Sequence, residues 1–368
     1  MKPAPRESQR PGQELSRWTW HDISPLALDE RDPSMAPPPL LVTAFKPPAG
    51  CLRFYEVPEL KKQFAKTFTE ETSPGAIYLG ELAAMRDALH WPAGVPRDPH
   101  LCSADGYYSF LPSFFHTLVA LRDSERPCSV VLRTFGTDLP HLLKAIDAFA
   151  AGKHPLFPNL QAPELRVPPQ RTWVGRYAQA NGSFTLASDP GGHFGFASQQ
   201  ANASPSSPPP SAFTSEEAVL QELQGDVANY VNGRRGAASI RVSAVQDDYR
   251  WWKAANYSPR SGKPLWLTVD DKDGWRHIFF DDNIHADAHD SIVAVRARRA
   301  PGEAFQPVSG EDTVRLHGTV LKKVPTVSAV RTREFFLQRI SECEDRIAEL
   351  QRRDAEGSSG GFGDVLLA

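Results

Sequence analysis

The sequence predicts an α/β fold with a mostly parallel sheet, because strand-like and helix-like patterns alternate along the middle of the chain. Val130, Val131 and Leu132 form a short apolar run of the kind found in buried strands. The segments before and after this run, 112–121 and 139–149, carry their apolar residues on one helical face. A strand between two helices with short joints is typical of βαβ units, in which the strands are parallel.

The other predicted elements follow in chain order. Apolar runs predict strands, one-sided periodicity predicts helices, and Thr214 followed by Glu217 has the spacing of a helix-starting capping box. The predicted elements are a strand at 40–45, helices at 59–69 and 80–89, a hairpin at 172–187, a helix at 214–231, strands at 239–245, 275–280 and 291–296, a β-rich stretch at 314–330 and a last helix at 332–353.

Composition marks three zones that cannot supply a packed core, because they are polar or rich in proline, serine and glycine. We predict a disordered or extended arm at 1–39, a mobile loop at 187–212 and a flexible tail at 356–368. The 368 residues include 33 prolines and carry a formal net charge of -3 without a long basic block. We therefore expect no nucleic-acid partner, and no apolar run is long enough for a membrane span.

The cysteine pattern and the first residues indicate a reducing compartment. Cys51, Cys102, Cys128 and Cys343 form no C-x-x-C pair, so neither a zinc site built from cysteines nor a disulfide framework is expected. The first residues lack the apolar core of a secretory signal. We accordingly expect unpaired thiols and a cytoplasmic location.

A pair of adjacent acids is the sharpest chemical signal. Asp281, Asp282 and Asn283 follow the apolar run at 278–280, and parallel sheets bind ligands beyond the carboxyl ends of their strands. Adjacent carboxylates repel each other and need a cation or several hydrogen bonds, and their oxygen atoms suit Mg²⁺. Asp281 and Asp282 are therefore candidate metal ligands. The alternative is that this segment caps a helix and forms a turn.

Two further residues are candidates for binding an anionic group. Thr134 precedes Gly136 and a helix start, a junction where a hydroxyl and backbone N–H groups can hold a phosphate. Lys263 stands between Gly262 and Pro264 and could neutralise anionic charge. The alternatives are an ordinary capped turn for Thr134 and an exposed surface charge for Lys263.

Together, these segments resemble the motifs of the haloacid dehalogenase-like (HAD) superfamily between residues 107 and 298. Thr134 matches its second motif, Lys263 its third, and the acid pair Asp281 and Asp282 its fourth. The resemblance implies a Rossmann-like, mostly parallel sheet of HAD type. It also implies that Thr134 hydrogen-bonds a phosphoryl oxygen, that Lys263 offsets charge at the reaction centre, and that Asp281 or Asp282 holds Mg²⁺.

The resemblance also divides the chain into segments. The first part of a HAD-like core would lie at 40–151, and the second part, with a β-rich extension, at 246–330. Between them, 152–245 would form a cap-like insertion that contains the loop at 187–212. A C-terminal helix at 331–355 would follow the core.

The chain departs from this family at the first motif, which is an apolar strand followed by Asp-x-Asp and supplies the nucleophile. The run at 40–45 continues with Lys46 and reaches Gly50 without a carboxylate. A lysine cannot form an aspartyl phosphate, and its charge would oppose Mg²⁺. An Asp-x-Asp-Gly sequence does occur at 271–274, but it lies too close to the next strand for a parallel crossover. We therefore predict a hairpin or turn at 270–274.

Two other polar segments allow two interpretations each. His285, Asp287 and His289 could ligate a metal ion or could be exposed residues of a helix. The segment 247–252 could pack its aromatic rings between the insertion and the core, or could stack a sugar or nucleotide. Its acids and aromatic residues are Asp247, Asp248, Tyr249, Trp251 and Trp252.

The last predicted helix has one apolar face. Its members are spaced by four and three residues, which favours packing against the chain's own domain and leaves a contact with a partner helix or a second copy as the alternative. They are Phe336, Ile340, Cys343, Ile347 and Leu350.

Three classes of function remain open. In the first, the chain is a HAD-like protein without the nucleophilic Asp-x-Asp, catalytically impaired, that binds a small phosphorylated ligand or serves as a scaffold. In the second, it is a Mg²⁺-dependent phosphohydrolase with a relocated nucleophile. In the third, it is an unrelated α/β binding domain in which Asp281 and Asp282 are structural. The missing nucleophile favours the first class.

Overall fold

The computed structural model describes residues 2–5, 16–19, 67–71, 73, 75–124, 126–178, 182–188, 212–225, 240–271, 274–285, 288 and 291–367. The chain divides into two compact units, 1–88 and 89–368. The predicted strand at 40–45 and Lys46 lie outside the described residues, as do most of the helix predicted at 59–69 and most of the loop predicted at 187–212.

The first unit contains a pair of short antiparallel strands within the predicted N-terminal arm. β1 (Lys2–Pro5) pairs antiparallel with β2 (Ser16–Thr19). Helix α1 (Leu79–Leu89) follows and ends at the boundary of the units, which confirms the helix predicted at 80–89.

A five-stranded sheet is the largest element of the second unit. Its parallel strands are β3 (Cys128–Thr134), β7 (Ile240–Gln246) and β4 (Thr172–Tyr177). β5 (Phe184–Ser188) and β6 (Ala212–Phe213) complete the order β3-β7-β4-β5-β6 as antiparallel strands. β7 is paired on both edges and six of its seven residues are buried, as is typical of a strand covered on both faces.

Two smaller sheets lie in the later part of this unit. β8 (Lys263–Thr268) pairs parallel with β10 (Val293–Arg298), whose other edge pairs antiparallel with β11 (Gln306–Pro307). β9 (Phe279–Asp281) pairs parallel with β12 (Leu321–Lys323). The protein is thus mixed α/β with mostly parallel, open sheets, which confirms the fold class at that level.

The strand pairing bears on the finer architecture. Among the described residues, β3 and β9 belong to different sheets. The stretch 152–245, predicted as a cap-like insertion, supplies β4, β5, β6 and nearly all of β7, so it is an integral part of the sheet that contains β3. A single sheet of HAD type and a cap-like role for this stretch stay predictions.

Helices make up much of the rest of the described part of the second unit. They are α2 (Pro112–Asp123), α3 (Leu139–Ala150), α4 (Glu216–Gln224), α5 (Tyr249–Ala254), α6 (Gly310–Arg315), α7 (Thr326–Arg331), α8 (Phe335–Ala355) and α9 (Phe362–Leu366). None of the helices in the described part of the chain is both long enough and apolar enough to cross a membrane.

Helix α4 differs slightly from its prediction. Its N-cap is Ser215, whose hydroxyl accepts the Ala218 N–H at 3.2 Å. The helix therefore starts one residue later than it would if Thr214 were the N-cap. It ends at Gln224, because Gly225 has a φ of +79° that suits glycine. The remainder of the predicted helix, 226–231, lies outside the described residues.

Two later predictions differ more from the structure. The stretch 314–330 is not mainly β, since it holds one three-residue strand, β12, between the end of α6 and most of α7. Ser309 caps α6 by accepting the Asp312 N–H at 3.1 Å, and Pro325 precedes α7. The tail predicted to be flexible contains α9, in which Phe362 and Leu366 are buried. The Asp354 carboxylate accepts the Gly363 N–H at 3.0 Å and so connects α9 to the end of α8.

The core consists of apolar clusters that join sheets to helices. One packs α2 and α3 against β3 and β7, and a second packs α8 and α9 against β8, β9 and β10. A third joins α4, β4 and β5 to Trp266 of β8. On α8, Ile347 and Leu350 are buried in the second cluster, Cys343 is also buried, and Phe336 and Ile340 are half-buried, so the predicted apolar face packs on the chain itself.

His154 lies fully buried in the first cluster. Its ring stacks on Tyr108 at 5.1 Å and meets the edge of Phe115 at 5.1 Å. Its Nδ1 accepts the Leu156 N–H at 3.2 Å. Burial lowers the pKa of His154 from 6.5 to about 4, because the protonated ring would be charged in an apolar environment.

This histidine predicts a loss of stability in mild acid. The unfolded chain binds a proton near pH 6.5 and the native chain only near pH 4, so the contribution of neutral His154 is full above pH 6.5 and is lost as the pH falls towards 4. In urea unfolding between pH 7.5 and 4.5, we expect the stability difference between wild type and His154→Phe to change by about 1.4 kcal/mol per pH unit in this window. An equal pH dependence in both proteins would contradict the prediction.

Candidate functional site

Lys263 lies buried at the start of β8. Its side chain is 6% exposed, and its Nζ lies 2.8 Å from Oδ2 of Asp281, whose side chain is 10% exposed. The preceding residue is Gly262, and only a glycine lets the backbone pass so close to β10, because a Cβ there would lie 2.2 Å from the Ile292 carbonyl oxygen. The Lys263 N–H donates to the same carbonyl at 2.7 Å, which fixes the strand start against β10. The surface-charge interpretation of Lys263 is therefore wrong.

Asp281 ends β9 and has both carboxylate oxygens engaged. Oδ2 pairs with Lys263, and Oδ1 accepts the backbone N–H of Asn283 at 2.9 Å. Asp282 is exposed, and its Oδ1 accepts from Nδ2 of Asn283 at 3.1 Å. The acid pair therefore forms a hydrogen-bonded turn in which one carboxylate is neutralised by a lysine and the other faces solvent.

Thr134 lies at the carboxyl end of β3 in a capped turn. Its hydroxyl accepts the Gly136 N–H at 2.8 Å and donates to Oδ1 of Asp138 at 2.8 Å. Nε2 of Gln246, at the end of β7, donates to the Gly136 carbonyl at 3.1 Å and ties this turn to the neighbouring strand. Both hydrogen-bonding functions of the hydroxyl are thus used locally.

The structure brings two of the three predicted residues into direct contact and the third into their vicinity. Lys263 and Asp281 form an ion pair, and the Lys263 ammonium also lies 5.4 Å from the ring centroid of Phe135, the residue after Thr134. Within the described residues, no hydrogen bond joins the Thr134 hydroxyl to Lys263 or Asp281. The end of β3, the start of β8 and the end of β9 therefore meet at Lys263.

A second buried ion pair, which the sequence did not predict, lies next to Lys263. Arg133 of β3 and Asp247, just beyond β7, have side chains 8% and 1% exposed, with Nε 3.1 Å from Oδ2. The guanidinium also donates to the Pro264 carbonyl, next to Lys263, and lies 5.7 Å from the ring centroid of Phe279 in β9. Arg133 thus connects β3, β7, β8 and β9. The available signal was a charged residue inside an otherwise apolar strand.

The acids and aromatic residues of 247–252 face different ways. Asp248 is buried and caps α5 by accepting the Trp251 N–H at 3.1 Å, and its other oxygen accepts the Tyr177 N–H at 3.1 Å. Trp251 stacks on Tyr177 at 5.4 Å, which agrees with the packing interpretation. Tyr249 is 39% exposed. The acids are therefore structural, and part of the aromatic surface faces solvent.

The turn after α5 has an unusual backbone. Asn256 and Tyr257 have φ of +52° and +59°, and their N–H groups bond to the Lys253 and Trp252 carbonyls at 3.0 and 2.9 Å. A left-handed conformation costs an L-residue about 1–2 kcal/mol, and asparagine tolerates it better than tyrosine. Tyr257, which is 45% exposed, therefore adopts a backbone conformation with a steric free-energy cost that a glycine would not have.

The described donor groups fit Mg²⁺ poorly. Asp281 is already paired with an ammonium group, and Mg²⁺ would have to compete with it. His285 has its Nδ1 3.2 Å from Nζ of Lys323, while Asp287 and His289 lie outside the described residues. Within the described ranges, no group of three or more His, Cys, Asp or Glu residues is placed to hold a metal ion.

The Asp-rich segment before β9 forms a turn, which confirms the prediction for 270–274 in its described part. The Gly274 N–H bonds to the Asp271 carbonyl at 3.3 Å, and Gly274 has a φ of +70°. The Trp275 N–H donates to Oδ2 of Asp271 at 3.2 Å. Asp273 lies outside the described residues.

The thiols that the structure describes are unpaired. Cys102 and Cys343 are buried, Cys128 is half-buried, and all are free. Burial raises the pKa of Cys128 to about 11, so this thiol is protonated at neutral pH. Cys51 lies outside the described residues.

Comparisons with known proteins identify no relative. No known protein family matches the chain, and no curated protein or solved structure is detectably similar to it. The site is therefore interpreted from its own geometry.

The buried Lys263–Asp281 pair predicts a non-additive double-mutant cycle. Lys263→Met leaves a buried carboxylate without its counter-charge and should reduce the free energy of unfolding by about 3–5 kcal/mol. Adding Asp281→Leu removes that carboxylate, so we expect the double variant to be more stable than Lys263→Met alone. Denaturant unfolding of the wild type, both single variants and the double variant measures the coupling.

A matched control is the more exposed pair of Lys322 and Glu342, whose charged atoms lie 3.3 Å apart. Lys322→Met should cost less than about 1 kcal/mol, as exposed ion pairs do. The account of the buried pair fails if Lys263→Met costs no more than Lys322→Met, or if the two single variants at the buried pair are additive.

Proposed function

We propose that this chain is a HAD-like protein that is catalytically impaired and acts by binding, either as a receptor for a small phosphorylated ligand or as a scaffold. The observation that supports this most directly is the buried pair of Lys263 and Asp281. In this proposal Lys263 of the third motif and Asp281 of the fourth still contact each other, but they no longer bind a phosphate ester and its metal ion.

The electrostatics of the pair favour binding over metal-assisted hydrolysis. Opposite unit charges at 2.8 Å attract each other by on the order of 6 kcal/mol for an effective dielectric constant of about 20. A Mg²⁺ ion on Asp281 would have to displace the ammonium group and would then repel it at short range. The carboxylate that a phosphatase would offer to its metal is therefore already satisfied within the protein.

The carboxylates near the pair also support an impaired site. Asp247 is bound to Arg133 and is almost fully buried, so it is not available for attack on a substrate. The sequence has no carboxylate between Thr43 and Gly50, where the first motif would place the nucleophile. Without an attacking group, binding of a phosphate ester does not lead to a covalent intermediate.

One observation favours the phosphohydrolase as a second candidate. Asp282 is exposed directly beside the Lys263–Asp281 contact, so a carboxylate that no described cation neutralises follows the end of β9. A substrate that draws Lys263 towards its phosphate would release Asp281 for Mg²⁺. An unrelated α/β binding domain, the third candidate, shares the binding role and differs only in ancestry.

A phosphatase assay distinguishes the first two candidates. We expect the purified protein, incubated with p-nitrophenyl phosphate and Mg²⁺, to release p-nitrophenol at the background rate, because the site lacks a free nucleophile. Asp281→Ala and Asp282→Ala serve as matched controls and should give the same rate as the wild type.

Turnover that requires Mg²⁺ and disappears in the Asp281→Ala protein would refute the impaired-enzyme proposal and establish the second candidate. The Asp282→Ala protein then reports whether the exposed carboxylate takes part. Circular dichroism of each variant ensures that a lost rate is not a lost fold.

A further inference from the structure

Four aromatic rings from three segments form a continuous surface beside the candidate site. Phe135 stacks on Trp252 at 4.8 Å, and Tyr257 meets the edge of Trp252 at 5.0 Å. Tyr249 lies 6.1 Å from Phe135 and 6.3 Å from Trp252, measured between ring centroids. We call the outer part of this cluster, Tyr249 and Tyr257, the tyrosine face.

The tyrosine face is exposed although its rings are largely apolar. Tyr249 is 39% and Tyr257 45% exposed, whereas Phe135 and Trp252 beneath them are half-buried. Large aromatic side chains that lie open in a contiguous group are typical of binding surfaces, since each ring offers a flat apolar area with a polar edge.

The backbone conformation of Tyr257 supports a ligand-binding role for its ring in addition to packing. Its φ of +59° lies in the left-handed region, which glycine adopts without a steric penalty. Strained residues of this kind are concentrated at ligand sites, where the surrounding structure holds them in place. The turn holds Tyr257 through the hydrogen bond from its N–H to the Trp252 carbonyl at 2.9 Å.

Two cations lie on the same short helix as Tyr249. Arg250 and Lys253 are exposed, and within the described residues neither forms an ion pair or a side-chain hydrogen bond. Lys253 follows Tyr249 by four residues and therefore shares its helix face. The neighbouring acids do not neutralise these cations at the surface, because Asp247 and Asp248 are buried and bound to Arg133, Tyr177 and Trp251.

We propose that the tyrosine face binds a nucleoside phosphate, with the base stacked on Tyr249 and Tyr257 and the phosphate paired with Lys253 and Arg250. A neutral sugar would leave the two cations unused, and inorganic phosphate would leave the rings unused. Stacking accepts any base, and lysine and arginine supply the charge that a phosphate needs. Two cations, in a chain of net charge -3 without a long basic block, suit a mononucleotide better than a nucleic-acid strand.

The inference rests on the proposed function in one respect, which is that the ligand is bound and not hydrolysed. The site of binding is distinct from the buried Lys263–Asp281 pair, although Phe135 contacts both Lys263 and Trp252. Binding at the tyrosine face and hydrolysis at the ion pair are consequently separate measurements.

Isothermal titration of the full chain with AMP, adenosine, inorganic phosphate and a short oligothymidylate tests the proposal. We expect AMP to bind, and adenosine and phosphate to bind about tenfold more weakly or worse, because each keeps only one of the two interactions. The oligothymidylate should bind no more tightly than AMP.

Two variants separate the ring from the charge. Tyr257→Gly removes the ring and relieves the positive φ, so we expect AMP affinity to fall about tenfold or more while the melting temperature stays within about 2 °C of the wild type. Lys253→Ala should reduce AMP binding towards that of adenosine and leave adenosine binding unchanged. Tyr78→Ala and Lys144→Ala remove an equally exposed tyrosine and lysine elsewhere and should change neither affinity.

The proposal is overturned if AMP does not bind at millimolar concentration, if Tyr257→Gly binds AMP as Tyr78→Ala does, or if adenosine binds as tightly as AMP. Binding of the oligothymidylate without binding of AMP would replace the mononucleotide by a nucleic-acid strand and also reject it. Release of phosphate from bound AMP would instead refute the proposed function and leave the binding site intact.

Discussion

Two positive charges, on Arg133 and Lys263, lie in the interior where β3, β8 and β9 meet, and the local structure depends on their compensation. A buried charge that loses its partner costs about 3–5 kcal/mol, a large part of the stability of a typical domain. Asp247 and Asp281 therefore have to reach these cations. Because Asp247 follows β7 and Asp281 ends β9, the two ion pairs fix where these strands end relative to β3 and β8.

This constraint also determines what remains for function. The acids that the sequence offers as chemical groups, Asp281 and Asp247, are used to neutralise cations inside the protein. The Thr134 hydroxyl is used in its own turn. The exposed groups that can bind a ligand are instead the tyrosine face and the two cations beside it. A ligand bound on the tyrosine face, next to an ion pair whose charges neutralise each other, would therefore be held without being hydrolysed.

The sequence predicted the elements that local periodicity defines, such as α2, α3 and α8, and the apolar strands β3 and β7. It also brought Lys263 and Asp281 together, as partners of a common site. It did not reveal that they satisfy each other, nor that Arg133 pairs with Asp247, 114 residues away, because such contacts depend on strand register. The helices at 310–315 and 326–331 were missed because their start signals outweigh a β-rich composition. Tyr257 was missed because a positive φ leaves no pattern in the sequence.

The most direct test of the central claim is a crystal structure determined in the presence of millimolar Mg²⁺. We expect that Nζ of Lys263 stays within hydrogen-bond distance of the Asp281 carboxylate and that no metal ion is bound there. A Mg²⁺ ion coordinated by Asp281 and Asp282, with the ammonium group displaced, would contradict it.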